Sequence, residues 1–116
     1  MSKFKNRQVA KTIEQINAQY GKVPPTAIDL EKTVLGALIV EGDAFKRIEP
    51  IINEDSFYDV NHQKIYRVIT KMVSRKQAVD LKTLAQTLKD HGHLDEIGGL
   101  SYILELSNSV SSARQI

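Results

Sequence analysis

Between Asp59 and Gly92 the apolar residues fall into two runs at helical spacing. Ile65, Val68, Ile69, Met72 and Val73 recur at i, i+3, i+4, i+7 and i+8, so all five share one face. Leu81, Leu84, Ala85 and Leu88 repeat the pattern. Val79 stands directly before Asp80, and with Asp80 as N-cap, Val79 and Leu84 occupy the two positions of a hydrophobic staple, which fixes the angle of the second helix. Gly92 ends that helix, since a left-handed residue past the last turn is easiest for glycine. The pattern predicts a central helical hairpin with both apolar faces turned one way.

Upstream, Lys3, Lys5, Arg7 and Lys11 precede the first acid, Glu14, so residues 1–22 read as a basic N-terminal tail. Val9, Ile13, Ile16 and Tyr20 share a face, which allows a short helix from about Arg7 to Tyr20 that Gly21 would stop. Val23-Pro24-Pro25 is extended and leads into the domain, residues 23–116. Thr26 and Asp29 have the spacing of a capping box, predicting a helix from Ala27 to about Val40. Leu30, Val34, Leu35, Ala37 and Leu38 form its broad apolar face, and Gly36 admits close approach by another helix. Gly42 ends it, and Asp43 is expected to cap a helix whose Phe45, Ile48, Ile51 and Ile52 face inward and which Pro50 kinks or restarts. Asn53 to Ser56 is a polar turn, followed by Phe57 on the core.

After the hairpin, Leu94 is expected to tuck back, and Asp95 to Gly99 forms a turn before a last full helix. At about 100° per residue, Leu100, Ile103 and Leu104 share a sector expected to pack on the core, with Tyr102 on the opposite side and Leu106 nearer to Tyr102. Tyr102 and Leu106 are therefore candidate partner-binding residues, although exposed apolar residues also occur singly without function. Ser112-Ala113-Arg114-Gln115 spells another capping box, and the chain stops at Ile116, one turn later. The expectation is a piece of a longer protein, cut before its next helix. No strand-like alternation occurs, so the fold class is all-α, a single-domain bundle of about six helices.

A length of 116 residues suits one domain with a modest core, and 41% hydrophobic with 26% charged residues argues against disorder. The 16 basic and 14 acidic residues are too balanced for charge alone to indicate nucleic acid or membrane. Absence of cysteine excludes disulfides and thiolate chemistry. The longest apolar run, residues 34–40, is too short to span a bilayer, and the N-terminus lacks an apolar signal core. A soluble cytoplasmic protein without membrane contact is expected.

Candidate chemistry is sparse. No Gly-x-x-x-x-Gly-Lys run followed by Ser or Thr exists to cradle phosphates, so no nucleotide cofactor is expected in this piece. His91 and His93, with Asp95 and Glu96 behind them, could be read as metal ligands, but a pair around a glycine turn without a third fixed ligand favours solvated histidines. His62 lies on the side of Ile65, Ile69 and Met72 and is expected to be semi-buried, with no serine or carboxylate partner implied by spacing. Lys71, Arg75 and Lys76 complement the dipole at the end of their helix. No catalytic, cofactor-binding or metal residue is assigned.

Four stretches carry a further signal: residues 23–38 (VPPTAIDLEKTVLGAL), 56–66 (SFYDVNHQKIY), 78–84 (AVDLKTL) and 94–106 (LDEIGGLSYILEL). In order and spacing they resemble the N-terminal domain of the bacterial replicative hexameric helicase, the DnaB family, most specifically in Phe57-Tyr58, His62-Gln63-x-Ile65 and Gly98-Gly99. The resemblance implies a non-catalytic helical head that forms a collar on a hexamer. A helical hairpin, beginning about where this chain ends, would join it to a RecA-like ATPase that uses ATP and Mg and unwinds DNA. It also implies docking of the primase C-terminal domain, with Tyr102 on the primase-facing surface, and a monomer or weak dimer for the piece alone. Pro50 and the basic tail depart from the family pattern. The competing readings are a stand-alone DNA-binding adaptor using the tail and Lys71, Arg75 and Lys76 on phosphates, which would be salt-sensitive, and a metal enzyme at His91 and His93.

Overall fold

In the computed structural model residues 27–114 are described, the side chains of 111–114 excepted. The expected helix from Arg7 to Tyr20, the Val23-Pro24-Pro25 linker and the cap at Thr26 lie outside that range. Five α-helices and one 3-10 turn make up the rest, with no strand among the described residues, so the fold is all-α.

Helix α1, Ala27–Val40, buries Leu30, Leu35 and Leu38 of the expected face and Ile39 besides, with Val34 and Ala37 partly buried against the core. Helix α2, Ala44–Ile48, is a bare turn and a half. Asp43 stands at its N-cap position but makes no capping bond, correcting that expectation. Its backbone (φ −104°, ψ 5°) lacks the extended shape a capping side chain needs, and its carboxylate lies 3.3 Å from Arg47 Nη1 instead. The helix stops before Pro50, so there is no kink. In the turn that follows, Ile51 swings outward and is 57% exposed, another correction, while Ile48 and Ile52 reach the core. The 3-10 turn Glu54–Ser56 is locked by the Asp55 amide on Asn53 Oδ1 (2.9 Å) and the Asn53 amide on Ser56 Oγ (3.0 Å). Phe57 follows it directly into the core.

The central hairpin forms as its pattern predicts. Helix α3, Val60–Ser74, starts at Asp59, whose carboxylate accepts the Asn61 and His62 amides. Helix α4, Leu81–Asp90, starts at Asp80, and Thr83 closes a reciprocal box: the Asp80 carboxylate accepts the Thr83 amide at 2.8 Å and the Thr83 hydroxyl accepts the Asp80 amide at 2.9 Å. Val79 and Leu84 both sit on the core. Each helix ends in the same way: amides of Lys76 and Gln77 return to the carbonyls of Val73 and Met72, and those of Gly92 and His93 to Lys89 and Leu88. This ending requires a left-handed residue, filled by Gly92 (φ 75°) in one case and by Lys76 (φ 60°) in the other.

Helix α5, Gly99–Arg114, lies against α1. Lys32 pairs with Glu105 and Gly36 faces Leu106 and Val110, so the two helices run in the same sense. At Gly36 they touch backbone to backbone: a Cβ there would stand 2.1 Å from the Leu106 carbonyl oxygen. Ile103 packs inward as expected, but its companions on that face are Leu106 and Val110, not Leu100 and Leu104. Leu106 is fully buried, and Leu100 and Leu104 are 50% and 42% exposed. The wheel offered two adjacent apolar sectors, and the backbone contact at Gly36 selects the one containing Leu106. The helix also continues through Ser112 to Arg114, so the capping-box spacing there starts no new helix.

Candidate functional site

Where α1, α5 and the start of α3 meet, three polar side chains are joined in a line. Glu31 of α1, on an otherwise apolar face, is buried. Its carboxylate accepts the Tyr58 amide at 2.7 Å, the Asp59 amide at 3.3 Å and, at 2.7 Å, is bonded to His62 Nδ1. Such a carboxylate would be costly to bury alone; these donors offset its lost hydration. His62 is fully buried, and its Nε2 lies 2.5 Å from the Tyr102 hydroxyl. With Nδ1–H donating to Glu31, Nε2 is left as the acceptor for the Tyr102 O–H.

Tyr102, expected on the side opposite the core, is half-buried. Its ring stacks on the His62 imidazole (centroids 5.8 Å apart, planes at 17°), and Lys32 Nζ lies 5.8 Å from its centroid. Burial, then the charges of Asp59, Glu105 and Glu31, push its phenol up to about 12. Gly98, at φ 110°, leaves room for it: a Cβ there would come 2.9 Å from Tyr102 Cβ. Gly98 is thus required here by space and Gly99 by its left-handed backbone (φ 72°). Tyr58, whose amide Glu31 holds, carries the most exposed large apolar side chain among the described residues at 74%.

The structure does not bring Leu106 to this surface; it lies beneath, in the core. His62 is deeper than expected and has the carboxylate partner that spacing did not imply. Sealed from solvent, His62 cannot reach a substrate, and the line of three ties elements together and leaves one edge of Tyr102 outward. At the other candidate, His93 Nδ1 is bonded to Glu96 at 2.5 Å, and Lys64 reaches the same carboxylate oxygen at 3.1 Å. These partners, Lys64 first, hold the Glu96 carboxyl below its usual range. Among the described residues no three His, Cys, Asp or Glu side chains are grouped to hold a metal ion. Lys71, Arg75 and Lys76 are exposed at the end of α3. No helix among the described residues is long and apolar enough to cross a membrane.

The family model for the DnaB-like helicase N-terminal domain matches residues 23–116. The chain belongs to this family. Among relatives of the DnaB-like family, the chain is 36% identical over 110 residues to the replicative DNA helicase DnaB of Rhodothermus marinus, covering 95% of this chain and 12% of that protein. It is 36% identical over 95 residues to the replicative DNA helicase DnaC of Bacillus subtilis, covering 82% of this chain and 21% of that one. The crystal structure of the N-terminal domain of DnaB helicase from Mycobacterium tuberculosis superposes with a TM-score of 0.69 at 28% identity, covering 78% of this chain and 71% of that one. The chain thus spans 12% to 21% of the length of these two helicases. Within this DnaB-like domain sequence reasoning missed Glu31, although a polar His62 on an apolar face already signalled that a buried partner must exist.

Proposed function

We propose that this domain is the non-catalytic N-terminal head, residues 23–116 with 1–22 as a basic tail, of a replicative hexameric DNA helicase, and that it docks the C-terminal domain of primase through the face around Tyr102. Family membership over residues 23–116 carries the reading. It is supported by the half-buried Tyr102, held in a fixed pose on a rigid helix as interface anchors are. Leu106, proposed with Tyr102 from the sequence, has a supporting part from below and makes no direct contact. In the full-length protein the head contributes to ring assembly, while ATP, Mg and DNA are bound by the ATPase domain, in the cytoplasm.

Titration of the chain with the cognate primase C-terminal domain, at two salt concentrations and with Tyr102→Ala, tests the proposal. Saturable binding that tolerates salt and falls at least tenfold with the substitution is expected, as for loss of an aromatic anchor worth about 2 kcal/mol or more. Absence of binding by the wild-type chain refutes it. Binding to DNA instead, weakening steeply with salt, would favour the DNA-adaptor reading.

A further inference from the structure

The Glu31–His62 pair reaches no surface, yet it ends on the one residue the docking reading depends on. Hydrophobic side chains at both positions together would fill the same space without burying a carboxylate, so packing alone does not account for the pair. The geometry points to a positioning role: we infer that the His62 Nε2 contact, oriented by Glu31, sets the pose of Tyr102 for its partner, making a residue that no partner touches a determinant of docking. The inference rests on the proposed docking function and names the device behind it.

The Tyr58 and Asp59 amides and His62 Nδ1 converge on one carboxylate, which fixes the imidazole plane and directs its protonated nitrogen toward Glu31. Nε2 is then a fixed acceptor aimed at Tyr102, which is bonded through its hydroxyl and stacked through its ring. Held at both ends, the tyrosine loses little further rotamer freedom on binding, and reduced ordering is a direct gain in affinity. The same carboxylate also holds the backbone amide of Tyr58, whose ring is exposed.

Two substitutions separate positioning from packing. In His62→Asn the amide nitrogen falls near the Nδ1 position and can still donate to Glu31, but nothing reaches Tyr102. In His62→Gln the amide extends to the Nε2 position and still meets the Tyr102 hydroxyl. Affinity for the primase C-terminal domain is expected to fall about tenfold in the asparagine variant, one hydrogen bond's worth, and to stay within about threefold in the glutamine variant. In a Tyr102→Phe background the two His62 variants should bind alike, because the hydroxyl they differ over is gone. Nitrogen-15 NMR of the labelled histidines supplies a readout independent of any partner. Tyr102→Phe should shift the His62 Nε2 signal and leave Nδ1 protonated.

Equal affinities for the two His62 variants, or effects that simply add to that of Tyr102→Phe, would overturn the inference while the docking reading stands. An Nε2 signal indifferent to Tyr102→Phe would overturn it too. Failure of the wild-type chain to bind would instead remove the docking reading, and this inference with it.

Discussion

Replacing Gly36 by alanine sets two opposing effects against each other at one Cβ. In an isolated helix the change is favourable by about 1 kcal/mol, because glycine loses more backbone freedom than alanine on folding. Here the new Cβ would stand 2.1 Å from the Leu106 carbonyl oxygen and 2.9 Å from a Val110 methyl, where ordinary contact begins at 3.4 Å. The methyl can rotate aside, but the carbonyl belongs to the α5 backbone and cannot. Helices α1 and α5 must therefore part by more than an ångström along a seam that holds Leu35, Ile39, Ile103 and Leu106. Overpacking of this kind costs about 3 kcal/mol at the upper end of its usual range. The clash wins, and the net loss is about 2 kcal/mol. For a domain of this size the unfolding midpoint should drop by roughly 8–16 °C. Thermal unfolding followed by far-UV circular dichroism measures it, with Gly42→Ala as the control, since a Cβ at Gly42 meets nothing within 4 Å. The control should be neutral or gain up to about 1 kcal/mol. A Gly36→Ala protein as stable as the wild type would refute the backbone contact between α1 and α5.

Three further outcomes are expected. Leu106→Ala should cost about 2–5 kcal/mol in urea unfolding and Leu104→Ala no more than about 1, and the reverse order would restore the face expected from the helical wheel. Lys76→Gly should stabilise the domain by about 1 kcal/mol, because it removes a left-handed lysine from the end of α3; a loss of stability would show that the side chain contributes more than its backbone strain costs. Because the Tyr102 phenol is raised above its ordinary 10.0 to about 12 in the folded state, its contribution to stability is complete below pH 10.0 and is lost as the pH rises through about 12. Burial, then Glu49, also raises the Tyr66 phenol, so ultraviolet titration of the folded chain should show a late tyrosinate step that shrinks by one tyrosine in Tyr102→Phe.

The elements whose signals are local were legible in the sequence. The hairpin follows from period and from Asp80, and α1 from its broad apolar face, with Gly36 already marking a close approach. What the sequence withheld depends on residues far apart in the chain. Glu31 and His62 are 31 positions apart, and His62 and Tyr102 are 40 apart, so no spacing rule links them. The α5 face failed for a different reason. Two apolar sectors of similar strength lie side by side on that helix, and periodicity cannot choose between them. Val110, at i+7 from Ile103 and i+4 from Leu106, would have tipped the balance. Ile51 was misplaced because helical spacing was carried past the residue where the helix stops.

The pairing of α1 with α5 also orders events when the chain is made. Lys32 and Glu105, which bridge the two helices, lie 73 residues apart, so the first helix described here has its main neighbour only near the far end of the domain. While the chain emerges from the ribosome, α1 can gather α3 and α4 and close Glu31 onto the Tyr58 and Asp59 amides and His62, but the bare flank at Gly36 stays open to water until α5 arrives. Closing so long a loop is slow compared with forming the local hairpin. The hairpin is thus the natural early nucleus, and docking of α5 the late step that covers Gly36 and brings Tyr102 onto His62. A chaperone that shields nascent apolar surface would find α1 exposed longest.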